Sequence, residues 1–201
     1  LAVIASLVLH LSHLKGSVTE EEKKSYIQEL MHIPSQILQS LEFEPAIMKI
    51  SKDIYKSSSA LFIGRGSSLP LALEGALKLK EISYIHAEGI ASGELKHGAI
   101  ALVDKNLPVI VLAPDDLFYV KNLSNMNEVY ARSGKITMIG KVNNEHLKGL
   151  AINGIDIDIT GKFNIPIIMA VPLQLLAYHV AKLKNKDIDQ PRNLAKSVTV
   201  E

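Results

Sequence analysis

Helical periodicity is already running at the first residue, in LAVIASLVLHLS, and it continues to Leu14. Lys15-Gly16-Ser17 breaks this helix, which the pattern assigns to a core. Thr19 followed by Glu20, Glu21 and Glu22 has the form of an N-cap with acids in the first turn, where they favour the helix dipole, and a second helix is predicted to about His32. Pro34 reads as the first-turn proline of a further short helix, and Glu44-Pro45 opens another that carries Ile47, Ile50 and Ile54 at helical spacing. From Ser59 the texture changes. Ala60-Leu61-Phe62-Ile63 is the short continuous apolar run of a buried parallel strand, Gly64-Arg65-Gly66-Ser67-Ser68 is a loop, and a helix follows from Pro70. Residues 108–112, 136–139 and 155–159 repeat the strand signature, separated by helical stretches near 117–132 and 167–183. This alternation predicts an α/β fold: a small parallel sheet of about four or five strands with helices on both faces and ligands at the carboxyl ends of the strands.

At 201 residues the chain holds one complete domain of roughly 150 residues plus a remnant. Lys and Arg total 22 against 21 Asp and Glu, so the net charge of +1 removes the broad positive field that nucleic-acid binding needs. There is no cysteine, which excludes a disulfide framework, a thiolate zinc site and a cysteine nucleophile. The apolar opening is shorter than the ~18 to 20 residues of a membrane span and has neither a basic leader nor a cleavage site. It also lacks an initiating Met and an N-cap, so the expectation is a chain that begins inside an element of a longer protein.

Four stretches could carry chemistry. The Gly64–Ser68 loop sits between a strand and a helix, where backbone amides attract anions, or it is simply a tight turn that needs glycines. Glu74, Lys78 and Glu81 fall within about 60° of one another on one helix face. Such a stripe is either a solvated ladder of ion pairs or, on a helix apolar nearly all round, a tucked site whose carboxylates serve as bases. Tyr84 to Glu88 and Ala91 to Gly98 bring two His and two Glu close together, but no third nitrogen ligand recurs at zinc spacing. His97-Gly98 reads as a helix C-terminus with a glycine cap, where His97 is either a proton carrier or a capping residue. The C-terminal DQPRNLAKSVTVE is a frayed tail by composition, or a flap whose partly desolvated Lys196 attacks a carbonyl as an amine.

The blocks LEGALKLKEISYIHAEGIASGELKHG and DQPRNLAKSVTVE resemble the isomerase half of the glucosamine-6-phosphate synthase family, and the likeness runs along essentially the whole chain. In that family the isomerase half is two sugar-isomerase (SIS) lobes, each a parallel sheet wrapped by helices. The resemblance implies that residues 1–45 are the last helices of a first lobe, 46–188 the whole second lobe, and 189–201 a tail closing over the active site. It implies synthesis of glucosamine 6-phosphate from fructose 6-phosphate in the cytoplasm, with ammonia delivered from glutamine by a separate glutaminase domain.

Position by position, Glu81 corresponds to the base that moves a proton between C1 and C2, and Lys196 to the Schiff-base amine. His97 corresponds to the ring-opening residue, which acts in the neighbouring subunit's site and so implies a homodimer. Lys78 is placed close to the sugar, Glu74 behind it, and Ala195 among the substrate-binding residues of the tail. No metal or organic cofactor is implied, and no nucleic-acid or membrane partner. Two departures stand out: the family's phosphate-binding loop would lie upstream of Leu1, and the glutaminase cysteine has no counterpart here. The alternative reading is a non-catalytic SIS module that binds a phosphosugar for regulation. A blander one is a dimerisation scaffold whose Leu1, Ile4 and Leu7 would face water in isolation and drive self-association.

Overall fold

A computed structural model describes residues 1–159, 161 and 163–192. Three helices come first: α1 (Ala2–Leu14), α2 (Glu20–Leu41) and α3 (Glu44–Ile54). The start of α2 is the predicted capping box, with the Glu22 amide donating to the Thr19 hydroxyl and the Thr19 amide donating to the Glu22 carboxylate at 2.9 Å. The predicted break after His32 is absent, and Pro34 lies inside the helix. A mid-helix proline costs about 3 kcal/mol, yet Leu30, Ile33 and Ile37 bury an apolar stripe against the main core that offsets it. The Ser35 hydroxyl also donates to the His32 carbonyl at 2.8 Å. The expectation of a core helix at the start is corrected too: α1 buries Leu9 alone, while Leu1, Ile4 and Leu7 are 71%, 61% and 55% exposed.

The rest is one five-stranded parallel sheet with strand order β2-β1-β3-β4-β5. The strands are β1 (Ser59–Gly64), β2 (His86–Ala91), β3 (Pro108–Ala113), β4 (Lys135–Gly140) and β5 (Asn153–Asp156). Between and after them lie α4 (Ser68–Ser83), α5 (Tyr119–Tyr130) and α6 (Asn164–Leu183). β2 escapes the sequence pattern because it is an edge strand: His86 and Glu88 face solvent and only Ala87 is buried, so no apolar run marks it. In the 155–159 segment Ile155, Ile157 and Ile159 are buried in alternation as expected, but β5 itself stops at Asp156. There the Asp156 carboxylate turns aside to accept from the amides of Val142 and Asn143, at 2.7 and 3.0 Å.

Alternating residues of the strands feed two cores. Phe62, Ile110, Leu112 and Ile139 pack with α3, α4 and α6, while Leu61, Ile63, Val109, Val111 and Met138 pack with α5. α6 is the one described helix long and apolar enough to cross a membrane, and Ile168, Leu173, Leu176 and Val180 bury it as the central helix of the larger core. His179 ties it to α3, its Nε2 lying 2.9 Å from Glu44 Oε1.

α4 is the element everything else is measured from. It descends from the carboxyl edge of the sheet to the amino edge, packed on β1, β2 and α6. A Cβ at Gly89 of β2 would lie 2.7 Å from the backbone of Leu73, and one at Gly75 would meet Leu173 at 2.9 Å and the Phe62 ring at 3.0 Å. The first clash is with backbone and cannot be relieved by a rotamer change. Gly89→Ala is therefore expected to cost about 1–3 kcal/mol, read as a lowered midpoint in urea unfolding; an unchanged midpoint would mean that α4 can lift off β2 freely.

Candidate active site

The three charged residues of α4 do converge. Lys78 Nζ lies 2.9 Å from Glu81 Oε2 and 3.7 Å from Glu74 Oε1. The side chains of Glu81, Lys78 and Glu74 are 26%, 35% and 43% exposed, so the stripe is half-buried, with Glu81 the most enclosed. The hydrogen bond to Glu81 is the main reason the Lys78 ammonium is held above its ordinary value of 10.5; burial opposes this, and the charges of Glu81 and Glu74 add to it. With Oε2 engaged by Lys78, Glu81 keeps Oε1 without a hydrogen-bond donor among the described residues. A carboxylate so fixed, one oxygen held and one free, is suited to take a proton from a bound molecule.

This stripe does not lie at the carboxyl ends of the strands, contrary to the expectation for ligands in such a sheet. Ser59 pairs with His86, so the end of α4 that carries Glu81 sits at the amino edge. His97 sits at the other edge, at the end of a short 3₁₀ segment, Ser92–His97, that leaves β2 and ends at Gly98. The six residues of β2 separate the two edges, about 20 Å at ~3.3 Å per residue. Glu81 and His97 of one chain are therefore not brought together. His97 is 74% exposed, and its nearest acid, Glu94, is 4.0 Å away.

Ala195 and Lys196 lie outside the described residues. The chain leading to them nevertheless returns to the Glu81 end of α4. The Arg192 amide donates to the Tyr84 hydroxyl at 2.9 Å, and the Arg192 guanidinium stacks over the Tyr84 ring at 4.2 Å. Tyr84 caps α4 in the left-handed conformation, with φ +60°. Nothing in the sequence announced this role; an aromatic three residues past Glu81 was the only trace of it.

The anion-cradle reading of Gly64–Ser68 fails. The Asp116 carboxylate occupies that corner, accepting from the Phe118 amide at 2.8 Å and from the Ser67 hydroxyl, and the Phe118 ring lies against Gly66. Asp115, beside it, pairs with Lys141. A second anion would meet carboxylates there, so the loop serves as a turn. Among the described residues no three His, Asp or Glu side chains are grouped to hold a metal ion.

The Lys78 assignment has a direct check. By NMR titration its ammonium should lose its proton above 10.5, and Glu81→Gln should lower the value more than Glu74→Gln, since Glu81 supplies the shorter contact. The pair's contribution to stability is then complete below about pH 10.5 and fades as pH rises through the raised value. Equal effects of the two substitutions would deny Glu81 its primacy.

Comparison with known proteins gives this geometry a context. The chain is 49% identical over 210 residues to the isomerizing glutamine–fructose-6-phosphate aminotransferase of Rhizobium meliloti (strain 1021), covering all of this chain and 33% of that protein. It is 48% identical over 202 residues to the enzyme of the same name from Bartonella quintana (strain Toulouse), again over all of this chain and 33% of the relative. The chain thus spans a third of the length of these curated relatives. Among solved structures, the C-terminal domain of glucosamine-fructose-6-phosphate aminotransferase from Francisella tularensis superposes with a TM-score of 0.88 at 42% identity, over 92% of this chain and 52% of that one. Glucosamine-6-phosphate deaminase from Thermotoga maritima shares the fold at a TM-score of 0.66 and 22% identity, over 98% of this chain and 56% of that one. The SIS domain family matches residues 53–184, from the end of α3 to just past α6, and the chain belongs to that family.

Proposed function

We propose that this chain is the last third of a cytoplasmic glutamine–fructose-6-phosphate aminotransferase and supplies most of its isomerase site, working as a homodimer beside an upstream SIS lobe and a glutaminase domain. The observation that carries the reading is the meeting of two elements at the amino edge: the Lys78–Glu81 pair, and the C-terminal segment docked through Arg192 on Tyr84. Lys196 is four residues beyond Arg192, and four extended residues reach at most about 14 Å. That reach is long enough for the amine to lie beside Glu81 when the segment turns toward α4, and this supports the reading.

The chemistry follows from what each group can donate or accept. His97 of the neighbouring subunit takes the proton of the anomeric hydroxyl and returns one to the ring oxygen as the C2–O5 bond breaks. Its exposure and its distance from Glu81 of its own chain support this crossed arrangement. The Lys196 amine adds to the C2 carbonyl and water leaves, giving an imine. Ammonia then displaces the lysine at C2, and the amine is regenerated. Glu81 removes a proton from C1 and delivers it to C2 while the C1 hydroxyl proton passes to the imine nitrogen, which leaves an aldehyde at C1 and an amine at C2. The sum is fructose 6-phosphate plus ammonia giving glucosamine 6-phosphate plus water. Lys78 keeps one Glu81 oxygen engaged throughout, so the other faces the sugar, and Glu74 supports Lys78 from behind.

In the full-length protein Glu81→Gln should lower turnover by roughly 10²–10⁴-fold while leaving the circular-dichroism spectrum and fructose 6-phosphate binding in place. Borohydride reduction in the presence of fructose 6-phosphate should trap the sugar covalently on the tail, and Lys196→Ala should abolish the trapped adduct. Full turnover in the Glu81 variant, or an adduct that survives loss of Lys196, would remove that residue from its role.

A further inference from the structure

We infer that α5 is the seat of the His97 turn, with Asn122 and Glu128 acting as positioning residues that fix where the imidazole is presented. The inference rests on the reading of His97 given above and adds the groups that act through it. The turn from Ser92 to His97 is held at both ends by α5. At its start the Ser92 hydroxyl donates to Asn122 Oδ1 at 2.8 Å, and both residues are fully buried. Next to His97, Lys96 Nζ lies 3.1 Å from Glu128 Oε1, and the Glu128 side chain is only 21% exposed. Between them Leu95 is fully buried in the smaller core, which pins the middle of the turn.

The polar face of α5 costs stability. Asn122 Nδ2, Asn125 Oδ1 and Glu128 Oε2 are buried without a hydrogen-bond partner among the described residues. The three residues are spaced three apart, so successive members are offset by only about 60°, and the outer two contact the turn. A helix face that served packing alone would be apolar here, as Leu123, Met126 and Val129 are on the core side. Departures of this kind are expected where function sets the residues. A short 3₁₀ turn has little rigidity of its own, so a catalytic imidazole at its end needs a fixed support, and the Asn122 and Glu128 contacts provide one at each end.

The test uses mixed dimers of the full-length protein. Glu128→Gln removes the charge that holds Lys96 and is expected to lower kcat roughly 10- to 100-fold with little change in KM. Because His97 serves the neighbour, a Glu128→Gln subunit mixed with a Glu81→Gln subunit should regain turnover: one of the two sites then combines an intact Glu81 with an intact His97 turn. Mixed with a His97→Ala subunit it should regain nothing, since both subunits are defective in the same component. Hydrogen exchange of the amides of residues 93–97 should also quicken in the variant. Ser92→Ala with Asn122→Leu, which removes both partners of the buried bond and leaves neither polar group stranded, should fall in the same complementation group. Unchanged kcat in Glu128→Gln, or failure of that variant to complement Glu81→Gln, overturns the inference. Failure of His97→Ala to complement Glu81→Gln overturns the crossed-site reading itself and is a separate result.

Discussion

The close approach of α4 to the sheet is the constraint on which the site depends. A helix normally rides above a sheet at a distance set by the side chains that fill the gap. Here the gap is shortened at Gly89 on the strand side and at Gly75 on the helix side, where a Cβ would meet the Leu73 backbone and the Phe62 and Leu173 side chains. Seated this low, α4 cannot rotate without driving Leu71, Ala72, Ala76 and Leu79 out of the core. The rotation that buries those four leaves Glu74, Lys78 and Glu81 along the rim of the buried face, half in water. The charged stripe is thus a by-product of the packing angle, and its precision is that of the core.

Around this fixed helix the candidate chemistry is divided between the two edges of the sheet. The amino edge has Glu81 and the returning C-terminal segment; the carboxyl edge has His97 on its turn. Residues of opposite edges do not meet across the length of β2, so Glu81 and His97 of a single copy stay apart. The helix N-terminus at Ser67, where folds of this class often hold an anion, already has the carboxylate of Asp116.

Much of this was legible in the sequence, and the exceptions have physical causes. Strands β1, β3 and β4 are covered on both faces, so they wrote themselves as continuous apolar runs. β2 is covered on one side and left no such run. The continuation of α2 through Pro34 depends on the stripe Leu30, Ile33 and Ile37 finding a partner surface, which local propensity cannot foresee. Glu74, Lys78, Glu81 and His97 stood out as candidates from residue type and resemblance. Their division between edges was not, because it depends on the direction of an edge strand that the pattern did not reveal. Tyr84, Asn122 and Glu128 were silent for another reason: their partners are distant in sequence, and nothing in their own neighbourhood distinguishes them from surface residues.

The self-occupied corner at Asp116 has a thermodynamic signature of its own. Partial burial raises this carboxyl above its ordinary 3.8, outweighing the hydrogen bonds from Phe118 and Ser67 that favour its charge. A carboxyl raised on folding opposes folding at neutral pH, and the opposition lifts as pH falls through its folded value and protonates it. Most paired carboxylates behave in the reverse sense and make proteins acid-labile. At this one corner protonation relieves a cost of folding, whereas for a carboxylate held in its charged form it would add one.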